Sequence, residues 1–600
     1  MSNQPIRDVC CRGFCFRDRR LEMPQRSPLL LLALAALLQG LSPQLAQSQA
    51  NLPSTRDTLA PPLDNPLPII TPAPLPPEEL EIQPGPTPAP TTAPTPAPTG
   101  TTPDSITVER FEVLGNSVLT EAQIEAVLAP FLNRPLSQVE LIQAANALTN
   151  FYIEQGYVTS GVIVPEHDFE NGVVKLQVIE GSLEEIEVLG TQRLRPDYVR
   201  DRLRPALTTP INRIQLLEAL QLLRLDPLIA SLTAELSNGT ETGTSLLRVQ
   251  VEEADSFSVD ASLDNRRSPS VGSWQRRLQL QQLNLTGRGD RFNFGYGNSQ
   301  GSNSIDVGYS YPLNGRNGSL GLNFSYTGSD IIEAPFDVLD INARSTVLEL
   351  GYRQPLVQTL RREFALGVSL LHRRTQARFI EELDAPFPSP GADDEGRTIV
   401  NELRFSQDYN QRGDRSFLGL RSQFAAGLPI LGATTQDEAP DATFLLWQGQ
   451  AQYGRLLAPE TLFLARSSVQ LASRPLVPLA QFGLGGSSTV RGYRQDVLLG
   501  DGGWLASAEV RLPLLKAGQR QASQLQLVPF FDLGGVFNRG DRPEPDPSFI
   551  ASTGLGLLFE SGDRRFSGRV EYGLPLVEVS NEGESLQARG LHASFRYRLF

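Results

Sequence analysis

Two stretches hold the residue types whose spacing could do chemistry: GLGGSSTVRGYR at Gly483 to Arg494, and PFFDLGG at Pro529 to Gly535. Gly483, Gly485 and Gly486 followed by Ser487 and Ser488 cannot hold a stable helix, and Gly492 frees the backbone beyond Arg491, so the first stretch predicts a loop presenting one long cation. In the second, Phe530, Asp532 and Gly534 alternate with Phe531 and Leu533, which predicts a strand with Asp532 on its polar face. If that strand belongs to a barrel, its polar face lines the lumen. Arg491 on a folded-in loop would then meet Asp532 through a charge-assisted, bidentate hydrogen bond that pins the loop inside the pore. The plainer alternative is an ordinary turn with a solvated Arg491, and Asp532 as one more lumen charge. Nothing else suggests reactive chemistry. His167, His372 and His592 are the only histidines, far apart, and no Cys or carboxylate cluster has metal-ligand spacing, so neither an enzyme nor a metal or other cofactor is expected.

The VRGY string, the F-x-D-x-G strand after it and the sequence before them resemble the two-partner secretion transporters (TpsB), the ShlB/FhaC/HecB-type haemolysin secretion/activation family of the POTRA-barrel outer-membrane superfamily. That resemblance implies that Arg491 contacts Asp532, with Val490, Gly492 and Tyr493 shaping the loop tip and Phe530 and Gly534 completing the wall motif. It also implies an α+β tandem of POTRA modules followed by an all-β transmembrane barrel.

The elements that must position these residues are legible along the chain. Six hundred residues exceed one ordinary core and predict several domains. With 40% hydrophobic and 20% charged residues the chain is neither disordered overall nor helical-membrane in type. A formal charge of -14 and a pI near 5.0 argue against nucleic acid as a partner. The one long apolar run, Leu29 to Leu38, is about half the length needed to cross a bilayer as a helix and reads as a signal peptide. Arg26 precedes it, and Ala46 or Ala50 offers a cleavage site. Cys10, Cys11 and Cys15 lie upstream of Met23; translation starting at Met23, or removal of this stretch with the signal, leaves a mature chain without thiol chemistry.

Signal region 1–50 is followed by a segment, 51–103, dominated by Pro, Thr and Ala, which predicts a disordered tether of roughly 3 Å per residue where extended. A PxxP recognition ligand is the alternative. Glu78 to Ile82 is the only candidate for a plug helix, and it is short. Residues 104–181 then read β-α-α-β-β: a strand Ile106 to Val113, helices opened by the capping boxes Thr120/Gln123 and Ser137/Glu140, and strands Tyr157 to Val164 and Val173 to Ile179. Residues 182–254 repeat the order, with strand Leu183 to Leu189, helices Pro196 to Leu203 and Ile211 to Leu225, and strands Ile229 to Leu236 and Leu246 to Val251. Such modules leave sheet edges to which an extended chain can add.

From about Ser256 the pattern becomes two-residue alternation, such as Leu320, Leu322, Phe324 and Tyr326 against Gly321, Asn323 and Ser325. Apolar outside and polar inside is how a membrane barrel is written. Residues 255–600, at roughly ten per spanning strand plus turns, hold on the order of sixteen strands. Five strands end in Pro followed by an aliphatic residue, at Pro312, Pro355, Pro429, Pro513 and Pro575, which suggests tight turns on one periplasmic rim. Asp384 to Gly396 and Thr434 to Asp441 read as longer loops on the other. Phe600 is the terminal aromatic of a barrel signal, yet it is in phase with Arg598 and Arg596 instead of the apolar Leu599, Tyr597 and Phe595, so it turns outward past the last ladder bond or signals weakly. Three RGD strings, at Arg288, Arg412 and Arg539, read as turns.

These features together lead us to expect an outer-membrane translocation pore whose partner is a secreted exoprotein. Outer-membrane lipid would surround it, and periplasmic chaperones and barrel-assembly machinery would meet it during biogenesis. An insertase for other outer-membrane proteins would share every motif; a solute porin would need no tandem modules.

Overall fold

The computed structural model describes residues 83–84, 106–165, 172–379, 385–438, 440–515, 523–579 and 584–600. The signal region with its cysteines and Met23, the Pro-rich segment apart from Gln83–Pro84, the Glu78 to Ile82 helix candidate and His167 lie outside the described residues.

In the first module both helices start at the residues that could cap them. Gln123 Oε1 accepts from the Thr120 backbone N–H at 3.0 Å ahead of the helix Glu121–Leu128. Glu140 accepts from the Ser137 N–H at 2.8 Å ahead of the helix Gln138–Glu154. The latter buries the apolar face of its 3.6-residue period, Ala144, Ala145, Leu148 and Tyr152 against Leu128 and Leu176 and Leu141 against Val108, Leu136 and Val174. The strand expected over Ile106 to Val113 is two strands. At Glu109 the backbone N–H turns to the Gly172 carbonyl (2.8 Å), so Ile106–Val108 pairs with Arg134–Leu136 while Arg110–Leu114 pairs in parallel with Val173–Ile179. The strand expected from Tyr157 shrinks to Gly161–Ile163, because Tyr157 and Ser160 are spent in turn bonds to Tyr152 and Tyr157 carbonyls.

The second module has a four-stranded sheet in which Thr244–Glu253 lies between Ile229–Asn238 and Ser182–Leu189. Gln83–Pro84 runs parallel along the free side of Ile229–Asn238, opposite Glu235 and Leu236. The helices Pro196–Leu203 and Arg213–Arg224 cover the sheet, burying Val199, Leu203, Leu216 and Leu220 on Leu247 and Val249.

This module is bolted to the barrel by the first of the RGD strings. Gly289 takes φ +78, and a Cβ there would lie 2.0 Å from the Tyr198 ring, so only glycine lets the turn close on that helix. Asp290 holds the turn by accepting from the Thr286 N–H and from Tyr309 Oη, each at 2.9 Å. The Arg195 N–H donates to Gly287 O at 2.8 Å. Glu253 at the module's end accepts from three consecutive N–H groups, those of Gln192, Arg193 and Leu194. Tyr198 itself donates to Asp226 at 2.6 Å beneath the Arg202 guanidinium, and burial, reinforced by Asp226, pushes its phenol pKa up.

Sixteen antiparallel strands close into a barrel, from Phe257–Asp264 to Leu591–Arg598, which pair with each other from Asp260↔Arg598 to Asp264↔Ser594. Side chains alternate as the period-2 pattern requires: Trp504 faces out, while Leu505, Ser507, Glu509 and Arg511 are buried inside. Strand direction corrects the proline reading. Pro312, Pro355 and Pro513 end strands that run toward the modules, but Ser416–Gly427 and Phe566–Pro575 run away from them, so Pro429 and Pro575 sit on the far rim. There the chain after each proline folds along a neighbouring strand, with Leu576 N donating to Ala551 O and Thr434 N to Ile399 O, both 2.9 Å. Proline ends a ladder equally well at either rim, so its occurrence carries no information about side. Phe600 lies beyond the last strand, its ring 6.5 Å from Phe257 on the outer face.

Candidate functional site

Between the strands Thr461–Ala472 and Gly502–Leu515 the chain does not stay at the far rim but folds into the lumen. Its stem is a two-stranded hairpin, Phe482–Leu484 against Leu498–Gly500. Gly485 and Gly486, at φ +109 and +90, turn the chain out of the stem, and Thr489 Oγ1 donates back to Gly485 O at 2.7 Å. Val490 is fully buried among Leu484, Leu498, Leu505 and Ile550. Tyr493 Oη lies 2.8 Å from Ala551 O and 2.9 Å from Val577 O. Gly492, at φ +96, packs its Cα against the backbone of Gly573, where a Cβ would lie 2.9 Å from the carbonyl carbon.

Arg491 sits at the tip with no exposed surface. Its Nε and Nη2 donate to the two oxygens of Asp532 at 2.7 and 2.8 Å, and its backbone N–H adds a third bond at 3.1 Å. Nη1 bridges Glu571 at 2.6 Å and Glu509 at 2.9 Å. The guanidinium lies 3.7 Å above the Phe530 ring. The F-x-D-x-G strand therefore has one task per inward position: Phe530 underlies the cation, Asp532 binds it, and Gly534 leaves room for Leu484 of the stem, which a Cβ would meet at 2.9 Å. Gly554 on the next strand clears the Phe530 ring in the same way.

The residues around this pair were not singled out by motif. Glu509 is also held by Arg511 and Arg569, each at 2.9 Å, and Arg569 reaches Glu571 at 2.8 Å. Three arginines thus bond to three carboxylates in the buried interior, and a fourth, Arg466, stands beside them with its Nη2 3.5 Å from Ser507 Oγ. His592, opposite Glu571 on the last strand, accepts the Gly492 N–H through Nε2 at 3.1 Å. Gln587 is a further such residue. Its Oε1 accepts the Gln495 N–H at 2.9 Å and its Nε2 donates to Arg267 O at 2.7 Å, so it ties the loop's return to both ends of the barrel sequence. The signal in the sequence was phase alone: Glu509, Arg569 and Glu571 sit at inward positions, which does not say that they converge.

The arrangement holds a loop in place, and among the described residues no group of three or more His, Cys, Asp or Glu could hold a metal ion. Beside the loop the lumen keeps a cavity of about 760 Å³ with a largely polar lining that includes Gln279, Gln281, Gln448 and Gln470.

The description "Haemolysin secretion/activation protein ShlB/FhaC/HecB" matches residues 243–559, and the ShlB-type POTRA domain matches 106–181. The chain belongs to the ShlB/FhaC/HecB haemolysin secretion/activation family. These are outer-membrane transporters, so the modules face the periplasm and the far rim faces the cell surface. Outer membrane transporter CdiB of Escherichia coli O6:K15:H31 is 25% identical over 501 residues, 80% of each chain. Heme/hemopexin transporter protein HuxB of Haemophilus influenzae Rd is 22% identical over 415 residues, 66% of this chain and 70% of that one. The solved structure of CdiB from Escherichia coli aligns with TM-score 0.63 at 22% identity, covering 96% of this chain and 99% of that one. At that identity the match speaks to the fold: a closed sixteen-stranded barrel behind POTRA-like modules.

Proposed function

We propose that this protein is the outer-membrane pore of a two-partner, type V secretion system that exports one adhesin- or haemolysin-like exoprotein. The observation that carries this reading is the lumen loop: a family transporter whose pore is occupied by a segment anchored through Arg491 has a part that can be displaced by a passing chain. The modules capture the unfolded client by strand addition. In support, the edge of Ile229–Asn238 accommodates an extended segment of the chain itself, Gln83–Pro84. The client then passes through the barrel, and its folding outside draws transport forward, since the sequence has no phosphate-binding loop. Arg491, Asp532 and the tip residues Val490, Gly492 and Tyr493 set the resting position of the loop. Phe600 serves barrel assembly.

The test is the surface and medium proteome of a strain lacking this gene, against its parent. Loss of one large exoprotein with other outer-membrane proteins unchanged is expected. Broad loss of unrelated barrels would overturn the reading in favour of an assembly factor, and an unchanged proteome with altered solute uptake would favour a porin.

A further inference from the structure

The outer face of four adjacent strands, read rung by rung toward the cell surface, changes character sharply. Strand register puts Leu320, Tyr352, Val368 and Phe405 on one rung and Leu322, Leu350, Leu370 and Leu403 on the next. Phe324, Leu348, His372 and Asn401 follow, and here the apolar band ends. The next rung is Tyr326, Thr346, Arg374 and Ile399; the one above it is Gly328, Arg344, Gln376 and Arg397.

Arg344 and Arg374 are both exposed on this outward face. They are diagonal neighbours across one strand pair, which places their Cα atoms about 7–8 Å apart. Among the described residues neither forms an ion pair or hydrogen bond, whereas Arg397, on the rung of Arg344, is held by Asp393 and Glu395 at 2.9 and 2.7 Å. Gln376 between them donates to the Glu395 carbonyl. Gly328 leaves the space beside Arg344 open, and the Tyr326 hydroxyl reaches toward it, 3.5 Å from where a Cβ would stand. Two like charges held side by side at the end of an apolar wall repel unless an anion bridges them. Below the arginines the apolar surface runs on around the barrel, the rung of Phe405 continuing onto the next three strands as Phe424, Trp447 and Leu471.

We propose that Arg344 and Arg374, with Tyr326, bind the anionic headgroup of an outer-leaflet lipid whose acyl chains lie along Leu322, Leu350 and Leu370. The two chemistries stand in series on one face. The guanidiniums offer paired donors to a phosphate-type oxyanion at headgroup height, and the leucine rungs below offer the surface an acyl chain needs. A soluble anion would use only the first. Tyrosine at the boundary is the residue expected where one end is apolar and the other wet.

The test uses the full chain in nanodiscs of phosphatidylglycerol or of phosphatidylcholine, followed by detergent release and native mass spectrometry. The parent protein is expected to retain phosphatidylglycerol and not phosphatidylcholine. Retention should fall about tenfold in R344Q/R374Q, equivalent to losing one charge-assisted hydrogen bond, and stay unchanged in R455Q, an outward arginine near the other rim. Each variant is first checked for a folded barrel by heat-modifiable gel mobility, and R374Q alone replaces the double variant if that fails to insert. Equal retention by the double variant would overturn the proposal. So would displacement of the lipid by millimolar inorganic phosphate, which would mean a site for a free anion.

Discussion

Replacing Arg491 with Ala should release the loop from the lumen while leaving the barrel intact. Asp532 carries the cost. Its hydrogen-bond partners among the described residues are all on Arg491, through Nε, Nη2 and the backbone N–H. Glu509 and Glu571 keep Arg569 at 2.9 and 2.8 Å, and Glu509 keeps Arg511 as well. Truncating one partner of a buried pair costs roughly 3–5 kcal/mol because the other charge is left behind. At tenfold per 1.4 kcal/mol, the open population should rise by roughly a hundred- to several-thousand-fold. A reporter cysteine at the half-buried Ser487, on the loop, reads this as its rate of modification by a membrane-impermeant thiol reagent. Adding Asp532→Asn to Arg491→Ala should slow labelling again, because no uncompensated carboxylate then remains. The double-mutant cycle should therefore show coupling on the order of 0.5–3 kcal/mol. Additive effects of the two substitutions, or labelling of Arg491→Ala at the parent rate, would refute the reasoning. If the loop's resting position matters for export, secretion of the exoprotein should fall in parallel while the barrel still shows heat-modifiable mobility.

Other outcomes follow from single contacts. His592→Ala removes the acceptor of the Gly492 N–H and should accelerate Ser487Cys labelling by the equivalent of about 1–3 kcal/mol, with His592→Gln restoring part of it; no acceleration would show that the bond is idle. Gly289→Val puts a β-branched side chain where φ is +78 and Tyr198 blocks Cβ, so protease should cut between the second module and the barrel far faster, with barrel mobility on gels unchanged. Leu350→Arg places a charge on the lipid face within the apolar rungs and should reduce folded barrel by about 2–4 kcal/mol, whereas Gln448→Arg in the lumen should not. In the first module, the Ser137 N–H and hydroxyl, with Arg134, hold the Glu140 carboxyl below its usual range. A depressed folded pKa stabilises above the unfolded value, near 4.3, and that contribution is lost as pH falls through the lower folded value. Glu140→Gln should thus speed amide exchange in the helix Gln138–Glu154 at pH 7 but not in strong acid, and equal effects at both would refute this.

How much was legible depended on whether the determinant was local. Capping pairs Thr120/Gln123 and Ser137/Glu140 are read from neighbours three residues apart, and the structure starts its helices there. Inward and outward faces are equally local, since side-chain direction in a strand alternates with period 2 whatever the strand pairs with. That phase was enough to put Trp504 outside and Glu509 inside. Splitting Ile106 to Val113 was not legible, because the break at Glu109 answers to the Gly172 carbonyl sixty-three residues away. Nor was the rim of Pro429 and Pro575, which depends on counting strands from the first. The family motifs named Arg491 and Asp532, but Glu571 and His592 reach the loop only because the last strands close against the first, and closure is a property of the whole ladder. By itself the sequence determined the kind of wall this barrel has and which residues face its lumen; tertiary structure decided which of them meet, since convergence across strands follows from register and curvature and not from spacing along any one of them.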